Sequence, residues 1–436
     1  LRVNQNDSSA MKIRIGQLFA VFMALVILAG CNPKRSDPNT VEIWAMGAEG
    51  EHIQELIPEF QRRNPDIEVS VQVIPWSAAH EKLITAYAGE STPDICQLGN
   101  TWIPEFQALN AIIPLDSLVH TSKIINADSY FSGIWQTNLL DSTVYGIPWY
   151  VDTRVLFYRK DLLEKAGYPQ PPKSWEEWKK ASRVLADREL ARYAMLIPLN
   201  DWRYPIIFGL QNGAGLLRDG SQYGDFSGER FQEAFNYLMG FFRDGLSPLG
   251  MTEITNIYQG FADGYYAMIV TGPWNLGEFS RRLPPEMEDK WATAPLPSPD
   301  STYPGLSLAG GSSLVIFRQS KKVEKAWKLI EYLSTVETQS QFYELVGDLP
   351  ARVESWQDSS LANNSRVHAF YTQLQHVTPT PKVPEWEQIA YKVQQYTESA
   401  AYGELEEEQA LKNLDSDVDK LLEKRRWLLE ESAKDE

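Results

Sequence analysis

From residue 41 onward, apolar positions switch repeatedly between the period of a strand and that of a helix. Val41–Ala45 (VEIWA) reads as a strand, followed by a Gly-bearing turn at Gly47–Gly50. Ile53, Leu56, Ile57 and Phe60 then fall at i, i+3, i+4 and i+7, which is one face of a helix. Asn64-Pro65 stops it. Ile67, Val69, Val71 and Val73 alternate with polar residues and predict a strand with one buried face. Leu83, Ile84 and Tyr87 carry a second helix ending at Gly89, and Pro93-Asp94-Ile95 opens a third strand. The order βαβαβ predicts a mostly parallel sheet covered by helices.

The pattern continues downstream. Ser174, with Glu177 three residues on, predicts a capped helix start, and Trp175 and Trp178 share a core-facing side of that helix. Phe261–Gly264 reads as a helix end and turn, Tyr265–Val270 as a short strand, and Gly272-Pro273 as its stop. Val323, Ala326, Trp327, Ile330 and Leu333 form a regular helical stripe, so Trp327 is a core residue. Ala410, Leu411, Leu414, Val418, Leu421 and Leu422 give a final amphipathic helix with a charged tail.

The first forty residues belong to a different class. Residues 1–10 have no periodicity and read as an upstream extension, and Met11 opens a signal peptide spanning 11–30. Lys12 and Arg14 form its positive region and Leu18–Leu28 its apolar one, too short to span a bilayer, which takes roughly 20 residues. Leu28-Ala29-Gly30-Cys31 resembles the cleavage box of bacterial lipoproteins. That resemblance implies cleavage before Cys31 and acylation of its thiol and new amine. Residues 31–39 then read as a polar tether.

Charge narrows the partners. Without the leader's Arg2, Lys12, Arg14 and Asp7 the chain keeps 38 basic and 57 acidic residues, a net charge of −19. Nucleic acid and anionic lipid reward basic patches, so neither is an expected partner. Cys96 is the only cysteine besides Cys31, so an acylated Cys31 leaves no intrachain disulfide and stability rests on the core. The 14 Trp and 20 Tyr point to carbohydrate handling or to aromatic core packing.

Several residues present chemistry. Trp274 follows the Gly-Pro stop, so it sits at the C-terminal edge of a strand, where α/β sheets bind ligands. Its flat apolar face and single N–H suit a sugar ring, unless it plugs the core beneath the turn. Leu98–Trp102 (LGNTW) leaves a strand for a helix, offering free backbone N–H groups and the Asn100 and Thr101 side chains. Trp102 either stacks on a ligand or staples helix to sheet. Asp152 sits between two apolar runs and either accepts ligand hydroxyls or pairs with Arg154 or Arg159. Gly310 and Gly311 permit either a ligand's close approach or a turn or hinge. The five histidines are scattered, with no H-E-x-x-H and no Ser nucleophile elbow, so catalysis is not expected. A glycoside hydrolase would need two carboxylates roughly 5–9.5 Å apart, and no motif isolates a pair.

The segments NPDIEV, TAYAGESTPDI, LGNTWIPEFQALNAIIPLD, YGIPWYVDTRVLFYRKDLLEKAG, SWEEW, FADGYYAMIVTGPWNL, GGSSLVIFRQSKKVEKAWKLIEYL and LPAR occur in the order seen in extracellular solute-binding proteins of the maltose-binding type. The chain resembles that family over residues 40–436. The resemblance implies an α/β fold, periplasmic-binding-protein-like, of two lobes joined by a hinge with the ligand cleft between them. It divides the chain into lobe one, 40–150 and 308–352, and lobe two, 151–307 and 353–436. It implies a monomeric sugar-binding lipoprotein of an ABC importer, exported and anchored by lipid on a membrane's periplasmic or outer side, handing its ligand to permease subunits. No cofactor or metal is expected. Binding of a polyamine, a peptide or a ferric ion are the alternatives, the last suggested by Tyr265-Tyr266. In the family's pattern Asp152 takes sugar hydroxyls, and Glu49 stands where relatives carry polar or basic sugar contacts. The family also places aromatics near Trp202 against the sugar. Trp386, in the loop PKVPEWE, either lines the cleft or packs in the core.

Overall fold

The computed structural model describes residues 37–250, 256–300 and 302–435. The upstream extension, the signal peptide and Cys31 lie outside the described residues, as does most of the tether. No helix among the described residues is long and apolar enough to cross a membrane.

Ten strands build two sheets: β1 (Thr40–Met46), β2 (Glu68–Ile74), β3 (Ile95–Gly99), β4 (Ile147–Asp152), β5 (Val155–Arg159), β6 (Tyr193–Leu196), β7 (Tyr266–Thr271), β8 (Trp291–Ala294), β9 (Gly310–Ile316) and β10 (Leu349–Pro350). The first sheet has the order β10-β4-β9-β3-β1-β2 and the second β8-β5-β7-β6. Helices that matter below are α1 (Gly47–His52), α2 (Trp76–Ala88), α3 (Trp175–Asp187), α4 (Arg203–Gln211), α5 (Trp274–Arg282) and α6 (Trp386–Ala401).

The βαβαβ start is present, with β1 parallel to both β2 and β3. The expectation of a mostly parallel sheet does not hold. β9 runs antiparallel to β3 and β4, and β10 antiparallel to β4. The reason is the crossing itself. β4 leaves the first sheet at Asp152, and β9 re-enters beside it at Gly310, its register partner, so the two must run in opposite directions. In the second sheet, β7 is parallel to β6 but antiparallel to β5, which is also antiparallel to β8. β2 is an edge strand, which is why Val69, Val71 and Val73 are only half-buried.

Two local expectations are refined. The turn at Gly47–Gly50 is the first turn of α1, packed so tightly that a Cβ on Gly50 would stand 2.7 Å from the Ala45 carbonyl oxygen. At α3, Ser174 Oγ accepts from Glu177 N at 3.2 Å as predicted. The Glu177 carboxylate, however, accepts from Lys173 N, one residue before the N–H that a capping box uses.

Apolar clusters cover both faces of both sheets. One runs from Val41, Ile43 and Phe60 on the first sheet to Phe157, Tyr266 and Trp291 on the second. A second fills the other face of the second sheet with Trp178, Phe208, Phe231 and Leu414. A third packs Met46, Leu83, Phe106 and Phe317 on the first. Trp175, Trp178 and Trp327 are buried, as their periodicity predicted. Between the sheets the chain passes through Thr153-Arg154, and returns through Ser307-Leu308, which pairs with Val377-Thr378. Beyond β10, Trp356 packs edge-on against Phe131 at 5.7 Å, and the helix Ser365–Leu374 then already lies on the second sheet, where Phe370 meets Phe157 edge-on at 6.1 Å.

Candidate functional site

β7 ends at Thr271, Gly272-Pro273 follows, and α5 begins at Trp274. The turn is pinned from behind: Asn275 Nδ2 donates to Thr271 Oγ1 at 2.7 Å, and Tyr258 OH donates to Asn275 Oδ1 at 2.9 Å. Trp274 does not plug the core; it is 45% exposed. The Arg154 guanidinium lies over its ring at 4.4 Å, and a Cβ on Gly272 would overlap that ring.

Asp152, at the end of β4, forms the ion pair that was the alternative to ligand binding: Arg154 Nη1 donates to its Oδ1 at 2.6 Å. Arg159 is engaged elsewhere, on Asp161 and on the carbonyls of Phe261 and Ala262. Gly310 and Gly311 pair with Asp152 and Val151. A Cβ on Gly310 would stand 2.9 Å from the Asp152 carbonyl oxygen. The backbone that comes close to these glycines is therefore β4's own.

Glu49 sits in the first turn of α1, buried, and accepts from Tyr150 OH at 2.7 Å. Tyr150 OH in turn accepts from Ser312 Oγ at 3.0 Å and Gln97 Nε2 at 3.1 Å, and Gln97 Oε1 accepts from Met46 N at 2.7 Å. Gln97, Tyr150 and Ser312 were not singled out from the sequence. They come from three different strands, and nothing local to any of them marks the network.

Asp348 was also missed. It immediately precedes β10, is buried, and has an Oδ2 with no partner. Burial, then the charges of Glu49 and Asp152, push its pKa well above the ordinary aspartate value of 3.8. The folded chain therefore keeps a proton that the unfolded chain gives up. That contribution to stability is whole below about pH 3.8 and is lost as pH rises toward and through the folded value. Asp348→Asn should therefore gain on the wild type in urea midpoint as pH is raised from about 4 to about 8. Parallel pH profiles for the two proteins would remove Asp348 as the cause.

Asn100 and Thr101 form a single 3₁₀ turn with Trp102 after β3. Asn100 Oδ1 accepts from Ser313 Oγ at 2.9 Å, while its Nδ2 is buried without a partner. With Ala309, Thr380 and Lys382, Asn100 and Thr101 line a narrow crevice. The half-buried Trp102 lies over Gly99 and meets Trp76 edge-on at 5.8 Å and His80 at 5.2 Å. Trp76, at the start of α2, is exposed and extends this aromatic wall. Only the proline before it hinted at its place. The His80 pKa is raised, chiefly by its 2.6 Å hydrogen bond to Glu105.

Trp202 is half-buried before α4, with the Arg203 guanidinium over its ring at 4.5 Å. Trp386 corrects an expectation. It is 0% exposed, packed edge-on against Trp202 at 5.5 Å inside the second cluster, and offers a ligand no face. Its place at the first turn of α6, rather than in a loop, buries it. Of the Tyr265-Tyr266 pair, Tyr266 is buried with its OH donating to Ile257 O, and Tyr265 is half-buried against Tyr193.

Comparison with known proteins places this geometry. The structure superposes on the sugar-binding protein MalE from the phytopathogen Xanthomonas citri with a TM-score of 0.86 and 47% identity, over 90% of this chain and 99% of the other. An ABC-transporter solute-binding protein from Thermotoga lettingae, bound to α-D-tagatose, matches with a TM-score of 0.73 and 26% identity, over 88% and 100%. The maltodextrin-binding protein of Bacillus subtilis is 26% identical over 392 residues, 85% of this chain and 88% of the other. The chain itself has the two-lobed α/β fold of periplasmic sugar-binding proteins. With residues 45–340 matching the family itself, the chain belongs to the bacterial extracellular solute-binding proteins.

Proposed function

We propose that this protein captures a sugar or oligosaccharide outside the cytoplasm by lobe closure and delivers it to the permease subunits of an ABC importer. The observation that carries this reading is Trp274, an exposed tryptophan at the C-terminal end of a sheet strand, beside the passage between the two sheets. Sugar recognition pairs a flat apolar face with fixed polar groups. The polar groups we assign are Glu49, Asn100, Thr101 and Asp152, with Trp102 and Trp202 as further aromatic walls. Gly310, Gly311 and Trp386 support the site from within the fold. The names of the Xanthomonas citri and Bacillus subtilis relatives support the same substrate class.

We infer the lobes to be 40–150 with 308–352, and 151–307 with 353–436. The passage from Asp152 in the first sheet to Val155 in the second, and the return to Gly310, support the first two boundaries. The protein acts as a monomer and binds without cleaving its ligand, held to the membrane through an acylated Cys31. Cys31→Ser should move it from the membrane fraction to the soluble fraction. Continued acylation of that variant would remove the anchor as proposed.

The experiment that tests the substrate is a thermal-shift screen of residues 37–436 against mono- and oligosaccharides, polyamines, ferric citrate and short peptides. A ligand at 100 times its dissociation constant adds about 2.7 kcal/mol, enough to move the melting point. The expected result is a saturable shift with one sugar class, the sugar recovered uncleaved. A shift confined to polyamine, peptide or iron would overturn the substrate, and cleavage of the sugar would turn the protein into a hydrolase.

A further inference from the structure

Arg154 is a buried cation with two neighbours of opposite kind. It is 5% exposed, and its backbone is tied across the two lobe connections: its N–H donates to Ser307 Oγ at 3.2 Å, and Ser307 Oγ donates to its carbonyl at 3.0 Å. Its guanidinium donates to Asp152 Oδ1 at 2.6 Å and lies over the Trp274 ring at 4.4 Å. Burial disfavours its charge, but Asp152 and Asp201 more than offset that, so it stays cationic. Asp201 itself pairs with Arg203, which covers Trp202. The same arrangement of carboxylate, arginine and tryptophan therefore occurs twice around the candidate site.

The orientation follows from burial. A guanidinium that is itself buried lies on the inward face of the Trp274 ring, so the ring's exposed area is on the other side. Gly272 lies against the benzo edge, where any Cβ would overlap the ring. The ring is thus seated from below and from one edge, with a single face left open. A planar guanidinium can stack on an indole while bonding a carboxylate in its own plane; an ammonium cannot do both. Ordering a free tryptophan on binding costs affinity, and a ring already held avoids that cost.

We infer that Arg154 is a positioning residue for ligand capture, holding the Trp274 ring flat and Asp152 in place through one guanidinium. Its consequence for affinity rests on the sugar-binding reading above; its action on the ring does not. The two are separated by measuring the ring without ligand. In protein labelled with 5-fluorotryptophan, the ¹⁹F resonance of Trp274 is the one lost in Trp274→Phe. Arg154→Lys, which keeps the charge beside Asp152, should shift or broaden that resonance and leave those of core tryptophans such as Trp178 and Trp327 in place. An unmoved Trp274 resonance would overturn the inference.

Affinity for the sugar found by the thermal screen supplies the second reading. Arg154→Met should weaken binding about tenfold in the wild type and clearly less in Trp274→Ala, where only its hold on Asp152 is left to lose. Equal losses in both backgrounds would show that Arg154 acts elsewhere. Absence of saturable sugar binding by the wild type would sink the substrate reading alone, with the fluorine spectrum still deciding the role of Arg154. Should Arg154→Met fail to fold, Arg154→Lys carries the same comparison.

Discussion

Trp274→Ala is expected to weaken sugar binding at least tenfold while lowering the melting temperature by no more than about 2 °C. The two halves of that result have one cause. Nearly half of the side chain faces solvent, so the folded state loses little apolar burial when it is removed. What remains beneath it, Arg154, keeps its ion pair with Asp152. A sugar ring laid on the indole would cover on the order of 60 Å² of apolar surface, about 1.5 kcal/mol at 25 cal/mol per Å². Stacking geometry adds about 0.5–1.5 kcal/mol. Together these exceed the 1.4 kcal/mol that makes a factor of ten. Isothermal titration of wild type and variant with the same sugar checks it, and an unchanged dissociation constant would take Trp274 out of the site.

How much of this was legible beforehand depends on how locally each feature is encoded. Trp274 was legible because Gly272-Pro273 ends a strand within the same dozen residues, and strand and stop stand where that pattern put them, with β7 shifted by one residue. Trp175, Trp178 and Trp327 were legible because a helix repeats its buried face every three or four residues. Trp386 was not, because the Trp202 ring it packs against comes from a distant part of the chain. Asp348 and the hydrogen bonds that tie Glu49 to Tyr150, Ser312 and Gln97 were invisible for the same reason. Each of these is an ordinary polar residue until the first sheet brings α1, β3, β4 and β9 together. The mixed direction of that sheet also escaped local reading. Hydrophobic period marks a strand but not which way its partner runs. Asp152 lies between these cases: its position at a crossing was readable, and its partner Arg154 was one of two arginines the sequence offered.

Gly311→Ala is expected to be among the most destabilising single-methyl substitutions in the chain, and the reason is again the crossing. Gly311 has φ of +119°, outside the range that residues with a side chain adopt easily. A Cβ there would overlap the Tyr150 carbonyl oxygen and stand 2.9 Å from Val151 Cα, both backbone atoms of β4 that no rotamer change can move. Backbone strain of this kind costs about 1–3 kcal/mol. Parting β9 from β4 to admit the methyl would weaken pairing at Gly310–Asp152 and Gly311–Val151 as well, bringing the loss to roughly 3–4 kcal/mol. Gly403→Ala is the control. It also has positive φ, +72°, but a Cβ there meets nothing within 4 Å, so it carries the strain of the dihedral alone. Urea denaturation of the two variants should separate them by about 2 kcal/mol, with Gly311→Ala the weaker. Equal midpoints would mean that the β4–β9 junction yields easily. A junction that yields could not hold Asp152 and Tyr150 in fixed positions on either side of the passage between the lobes, so the same measurement bears on how rigidly the candidate site is built.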